Sequence, residues 1–322
     1  MDHADEHVLD RAIGAVLGTA VGDVMGAPYE FGSAPFGPDG AQLIGGGLGN
    51  CEPGEWTDDT SMTWCVLDAA HRFGGLTADA ALDRVARNFH AWYESRPPDI
   101  GMQTQKVLNG AGPDPTARQL TDASLELHRL TGHTAGNGSL MRTSPVALPH
   151  LDDADAVATA ALRVSELTHA DPRAGQACVL WSLAIRHAVL TGEIDVRVGL
   201  DQLDAEAQEF WTARITEAQT QPAVTFNPNG WVVTAFQAAW AAIVSVAEAP
   251  NAEKYMAGVN AAIAIGNDTD TVAAIAGGLL GAAVGAETIP DEWRSAVHGY
   301  PGIDGAALVT AVRDLLGRPV RE

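Results

Sequence analysis

The chain has 322 residues, 46% of them hydrophobic, which is enough for a large buried core and too apolar for extended disorder. A formal net charge of -22 excludes a general binder of nucleic-acid backbones, which needs clustered Lys and Arg; an anionic ligand would need metal ions or backbone N–H groups to offset that field. The three cysteines, Cys51, Cys65 and Cys178, are odd in number and far apart, the pattern of reduced structural thiols in a cytoplasmic protein. The N-terminus is acidic where a signal peptide is basic and then apolar. The uncharged run over residues 272–286 is shorter than the roughly 20 residues that span a bilayer, so no membrane segment is expected.

In chain order the pattern is helical nearly throughout. Over residues 8–27, Val8, Ile13, Val16, Leu17, Ala20, Val21 and Val24 recur at helical spacing. Gly14, Gly18, Gly22 and Gly26 form one smooth ridge on that helix, suited to the close approach of another helix or of a ligand. Asp23 reads as a structural hydrogen-bonding group, with a place in a site as the alternative. His3 and His7 have metal-ligand spacing but fall in a short tail expected to fray. Residues 28–55 hold Pro28, Pro35, Pro38, Pro53 and Gly45-Gly46-Gly47, a long loop of the kind that is more often functional than idle. Glu30, at its start, belongs either to the surface or to an acidic site.

Helices are predicted over 57–73 and 77–94, and Arg96-Pro97-Pro98-Asp99-Ile100-Gly101 then breaks the chain. Asp99 reads first as a helix N-cap and second as a presented general base. Residues 131–145 are irregular, and Gly136-Asn137-Gly138-Ser139 leads into Leu140-Met141-Arg142. Gly-rich backbone entering a helix can cradle an anion, although such a tetrapeptide alone is more often a turn. His133 and Arg142 read as substrate contacts or as ordinary loop partners. Amphipathic helices over 152–168 and 172–190 flank His169, a corner residue expected to cap or to reach a ligand. A polar helix over 196–217, a loop over 219–230, helices over 231–247 and 252–265, and short closing helices over 290–316 complete the chain. No strand alternation is sustained, so the fold is predicted to be all-α, and neither a heptad bundle nor a solenoid.

The densest chemistry lies in two stretches. Thr57-Asp58-Asp59-Thr60 and Asp268-Thr269-Asp270-Thr271 each precede a mostly apolar helical run. The plain interpretation of either one is helix capping, with acidic side chains complementing the helix dipole. Two such starts brought together would gather four carboxylates, whose mutual repulsion makes the site costly unless protons or cations are bound. Hard oxygen ligands suit Mg2+, Mn2+ or Ca2+, and four carboxylates with two or more hydroxyls are enough for two ions. No Cys/His spacing competes for zinc. One pocket joining stretches so far apart also favours a single domain over residues 1–322, with its core over about 8–317.

Taken together, Gly18 to Asp23 with Gly26 to Glu30, Thr57 to Thr60, Pro98 to Gly101, Gly136 to Arg142, Thr168-His169 with Pro172, Gly230 to Val232 and Gly266 to Thr271 resemble the ADP-ribosylglycohydrolases, in particular the dinitrogenase-reductase-activating and ADP-ribosylarginine hydrolase types. The resemblance implies a compact, orthogonal all-α domain with two Mg2+ or Mn2+ ions. It implies Thr57, Asp58, Asp59, Asp268, Asp270 and Thr271 as metal ligands, and Glu30 as an acid that reaches the metals in some members. It implies Asp99 as a carboxylate near the scissile bond, with Asp59, Asp268 and Glu30 as further catalytic candidates. Gly136, Asn137, Gly138, Ser139 and His169 match positions that hold the ADP-ribose phosphates and ribose. The implied activity is release of ADP-ribose from a modified protein side chain, most readily arginine. The alternatives are ADP-ribosyl-serine, O-acetyl-ADP-ribose or a phosphoester as substrate, or a metal-dependent ADP-ribose binding module. The expected partners are the ADP-ribosylated protein and ADP-ribose, and the expected state is a monomer.

Overall fold

The apolar periodicity becomes helix nearly everywhere. The structure, a computed structural model, describes residues 3–317. Its α-helices are α1 (His3–Gly26), α2 (Asp58–Phe73), α3 (Asp79–Glu94), α4 (Met102–Ala111), α5 (Ala117–Thr131), α6 (Ala154–Glu166), α7 (Pro172–Thr191), α8 (Ala205–Thr220), α9 (Val232–Ser245), α10 (Asn251–Ile263), α11 (Thr269–Val284), α12 (Asp291–Ala296) and α13 (Gly305–Leu316). Among the described residues the strands are one short antiparallel pair, β1 (His298–Gly299) and β2 (Ile303–Asp304). The all-α expectation holds, and one hydrophobic core runs from α1 through α13.

The glycine ridge of α1 meets a helix, not a ligand. A Cβ on Gly14 would strike the Gly281 carbonyl, one on Gly18 the Gly277 carbonyl, and one on Gly22 the Ala273 carbonyl. On Gly26 it would lie 2.5 Å from Asp270 Cα. The partner number falls as the α1 number rises, so α1 and α11 run antiparallel, backbone against backbone. Two bonds reinforce the pair: Tyr255 Oη of α10 donates to the Gly18 carbonyl at 2.7 Å, and Thr269 Oγ1 donates to the Gly26 carbonyl at 2.8 Å. This packing carries the C-terminal end of α1, with Asp23, to the N-terminal end of α11, with Asp270.

Several boundaries differ from expectation for local reasons. Helix α1 begins at His3, so the segment around His7 is helical; the side chain of His3 lies outside the described residues. Residues 102–131, to which no element is assigned from the sequence, hold α4 and α5. The break is marked by a capping box in which Thr116 Oγ1 accepts from the Gln119 amide and the Gln119 side chain accepts from the Thr116 amide. The polar helix expected over 196–217 starts later as α8, because Asp204 caps it by accepting from the Ala207 amide at 2.9 Å.

Candidate active site

Thr57 is the N-cap of α2, and its Oγ1 accepts from the Asp59 amide at 3.4 Å. Asp23 of α1 completes that cap from outside the helix. Its buried carboxylate accepts from the Thr57 amide at 3.2 Å, the Thr57 hydroxyl at 2.9 Å, the Thr60 amide at 3.0 Å and the Thr60 hydroxyl at 2.6 Å. One side chain thus takes up two of the donors that a helix start leaves unpaired, and it ties the first turn of α2 to α1.

Asp268 holds the N-cap position of α11 without capping it. Its Oδ2 accepts from Asn137 Nδ2 at 2.7 Å, and its amide donates to Asn229 Oδ1 at 3.1 Å. Asn267 before it takes a left-handed φ of 70°, a conformation Asn tolerates better than most residues. Thr271 is buried; its amide donates to Asp270 Oδ1 at 2.8 Å.

These helix starts converge. Asp23, Asp59 and Asp270 each bring a carboxylate oxygen within 4.8 Å of the others, and so do Glu30, Asp99 and Asp270. Asp270 belongs to both triads. Asp58 and Asp268 stand beside them, close enough to act on the Glu30 carboxyl, and Asp58 Oδ2 accepts from the Gly101 amide at 3.4 Å. Glu30 arrives on a 3-10 turn that opens the long loop, and it is buried. Asp99 is not a cap: the N-cap of α4 is Gly101, with no side-chain bond, which leaves the Asp99 carboxylate to face the cluster.

Among the described residues no salt bridge reaches any of these seven carboxylates. Burial first, and then Asp268, Asp99 and Asp58, push Glu30 up to about 8. Burial, with Asp99, Asp23 and Asp268 adding, pushes Asp58 up to about 8. Asp59 and Asp270 are driven well above the usual carboxylate range by burial and then by their acidic neighbours. Asp23 rises to about 6 through burial, opposed by the bonds from Thr60 and Thr57. Asp99 is also raised, by burial first. Asp59 Oδ1 is buried without any hydrogen-bond partner. An oxygen-only donor set under this mutual repulsion, with an orphaned carboxylate oxygen inside it, fits a hard divalent cation.

The glycine loop abuts the cluster. Asn137 Nδ2 reaches both Asp268 and the Asn229 carbonyl, the latter at 3.1 Å, and the Asn137 amide donates to the Gly230 carbonyl at 3.1 Å. His169 lies against Gly136 and Gly138. It is not a cap either, since Asp171 caps α7 by accepting from the Arg173 amide at 2.9 Å. Ser139 turns its hydroxyl into the core, where Ser165 Oγ donates to it at 3.0 Å, so it can offer a ligand only its backbone. His133 is exposed and Arg142 fully buried. Sequence reasoning left Asp23 out of the ligand set and missed Asn229 and Gln103, which brace Asp268 and Thr168. For Asp23 the available signal was its place beside the glycine ridge.

The class is thus an all-α protein with a carboxylate centre, suited to divalent cations, against a glycine-rich loop. Comparison with known proteins sharpens this. The ADP-ribosylglycohydrolase family matches residues 4–320, and the chain belongs to that family of enzymes. It is 29% identical over 304 residues to "ADP-ribosylarginine hydrolase Tri1" of Pseudomonas putida (strain GB-1), covering 89% of this chain and 74% of that one. It is 27% identical over 300 residues to "ADP-ribosyl-[dinitrogen reductase] glycohydrolase" of Rhodospirillum rubrum, covering 89% and 90%. Human "ADP-ribosylhydrolase ARH3" is 26% identical over 348 residues, covering 92% and 91%. A solved structure of an "ADP-ribosylglycohydrolase-related protein complex" superposes with a TM-score of 0.67 at 24% identity, over 97% of this chain and 99% of the other, a likeness of fold. Among the described residues no helix is long and apolar enough to cross a membrane.

Proposed function

We propose that this enzyme cleaves the N-glycosidic bond between ADP-ribose and an arginine side chain of a protein, at a site built for two Mg2+ or Mn2+ ions. The observation that carries the reading is Asp270, shared by two carboxylate triads, one of which includes Asp99. Asp59, Asp270, Asp58, Asp268, Thr57 and Thr271 would hold the ions, with Glu30 at their edge and Asp23 bracing Thr57. Bound ions supply the positive charge that lets these carboxylates ionise together, and they favour ionisation of a nearby water.

The protein's own groups account for the rest. Asn137 couples the glycine loop to Asp268, so a ligand on the backbone of Gly136, Gly138 and Ser139 lies beside the acidic centre. Cleavage passes through an oxocarbenium-like state, whose developing positive charge the adjacent carboxylates stabilise. Asp99, half-buried and raised, takes a proton from water or receives the guanidinium leaving group. A cavity of about 140 Å3 borders Asp99 and Asp58 and is lined also by Glu55 and Trp92. The carboxylates of Asp58, Asp99 and Glu55 outnumber the one cation on its wall, Arg96, and so suit a guanidinium better than a serine hydroxyl, which favours arginine. Two of the relatives are named as ADP-ribosylarginine hydrolases. One chain holds every group named, so a monomer suffices, and the three buried free cysteines fit the cytoplasm.

The test is release of ADP-ribose from arginine-modified and serine-modified protein, with and without Mg2+ or Mn2+. Release from arginine only, and only with metal, is expected. No release from either, with metal-dependent binding of free ADP-ribose retained, would replace the hydrolase by a binding module. Asp99→Ala should keep metal binding and lose arginine-directed turnover, and unchanged turnover would remove Asp99 from the reaction.

A further inference from the structure

We propose that Thr168, held by the buried guanidinium of Arg142, is a positioning residue that fixes His169 as the Nε2–H tautomer, so that the ring presents a hydrogen-bond donor to an anionic oxygen of the ligand on the Gly136–Gly138 backbone. The argument is a count of hydrogens. Arg142 Nη1 donates to the Gly138 carbonyl at 3.2 Å and points to Met62 Sδ at 3.7 Å. Its Nη2 donates to the Val164 carbonyl at 3.2 Å and to Thr168 Oγ1 at 2.7 Å. The guanidinium, stacked 4.5 Å from the Phe89 ring centroid, has no acceptor and does not lose a proton, so Thr168 Oγ1 must accept.

Thr168 is itself fully buried, and its hydroxyl has one other partner among the described residues, His169 Nδ1 at 2.7 Å. If Nδ1 carried the imidazole hydrogen, the hydroxyl would accept twice and its own buried hydrogen would lack an acceptor, which is unfavourable. The Thr168 hydroxyl therefore donates its hydrogen to Nδ1, which accepts, and the imidazole hydrogen lies on Nε2. That nitrogen faces the loop: an added Cβ would come within 3.3 Å of it from Gly138 and 3.5 Å from Gly136. Glycine at both positions lets ring and backbone approach one ligand atom together. Gln103 Nε2 donates to the Thr134 and Thr168 carbonyls, both at 2.9 Å, and so steadies the segment that carries the hydroxyl. Burial, and then the charge of Arg142, hold the imidazole well below its usual 6.5, so the ring stays neutral with a single N–H.

The inference rests on reading this loop as the cradle for the ADP-ribose diphosphate, and two readouts keep the claims separable. In 15N-histidine NMR of the metal-free protein, with the signal assigned by its loss in His169→Gln, His169 should show a pyrrole-type Nε2 and a pyridine-type Nδ1. Thr168→Val should shift the tautomer, and Thr168→Ser should retain it. With Mg2+ present, the dissociation constant for ADP-ribose should rise about tenfold in Thr168→Val and recover in Thr168→Ser, while the melting-temperature rise caused by Mg2+ alone stays unchanged. An Nδ1–H ring in the wild type, or a Thr168→Val protein that binds ADP-ribose like the wild type, would overturn the proposal. The expected tautomer without any binding of ADP-ribose would refute the diphosphate reading and leave the positioning by Thr168 standing.

Discussion

Gly22→Ala tests whether the α1–α11 contact sets the geometry of the acidic centre. A Cβ there would lie 2.6 Å from the Ala273 carbonyl carbon and 2.9 Å from the Ala274 nitrogen, with the Ala273 oxygen closer still. All three are backbone atoms of a buried helix, so no side chain can rotate out of the way. Relief requires the two helices to separate by about 1 Å at that level, since carbon atoms pack at about 3.5–4.0 Å. Overpacking of this kind costs about 1–3 kcal/mol, offset by about 1 kcal/mol of helix propensity gained when alanine replaces glycine. The net effect, up to about 2 kcal/mol, lowers the melting temperature by roughly 2–4 °C per kcal/mol in a large domain. Asp23 is the next residue, and its bonds from Thr57 and Thr60 move with α1. Divalent-ion affinity should fall by roughly 10-fold, the scale seen when a group supporting a metal ligand is lost. Scanning calorimetry with and without Mn2+, and titration calorimetry of Mn2+, measure both. Gly110→Ala is the control, because the nearest atom to its Cβ is Ala123 Cβ at 3.9 Å, and it should be neutral or stabilising. A Gly22→Ala protein with unchanged melting temperature and unchanged Mn2+ affinity would refute the reasoning.

Asp59→Ala removes a buried carboxyl whose Oδ1 has no partner. The metal-free variant should melt no lower than the wild type, and it should lack the upward shift that Mg2+ or Mn2+ is expected to produce in the wild type. In the metal-free protein Asp58 and Glu30 are pushed up to about 8 and Asp23 to about 6, above ordinary values of 3.8 and 4.5. Between those values the folded form binds more protons than the unfolded chain, so stability from these groups falls as pH rises from about 4 to about 8. Melting temperature without metal should therefore be higher near about pH 5 than near about pH 8, and added Mg2+ should raise it most at the alkaline end. A metal-free profile in which the melting temperature rises over that range would contradict the assignment. Asn137→Asp sets a carboxylate where an amide now donates to Asp268 at 2.7 Å. It should weaken ADP-ribose binding by titration calorimetry more than Asn137→Ala does, through like-charge repulsion.

The ridge of Gly14, Gly18, Gly22 and Gly26 was legible because helical spacing needs no tertiary knowledge, but its partner was not. Helix α11 is apolar on every side, so no pattern marks which face its Gly277 and Gly281 present. The acidic pairs could be recognised as a site only because there are two of them, and the convergence of Glu30 and Asp99 on Asp270 depends on loops that carry no periodic signal. Asp23 looks ordinary in its own segment, and its partners Thr57 and Thr60 lie 34 and 37 residues further on. Ser139 shows the reverse limit. The run Gly136 to Ser139 reads as a ligand loop, yet only the packing of Ser165 and Cys178 shows that the hydroxyl points inward.

Capping and metal binding need not compete for the same residues. A helix start requires oxygen atoms to take up its free N–H groups, and a hard cation requires oxygen atoms of the same kind. Here Asp23 answers the first need for α2, which leaves the Asp59 Oδ1 atom without a partner inside the cluster. Asn229 accepts the Asp268 amide at the start of α11, which leaves the Asp268 carboxylate to the Asn137 side-chain amide and the acidic cluster. At both helix starts a residue from a distant segment takes over backbone satisfaction and frees the local carboxylate. For Asp23 this role follows from the glycine contact that sets α1 against α11. The acidic centre therefore depends on Gly22 and Gly26, which carry no functional group, as well as on the carboxylates themselves.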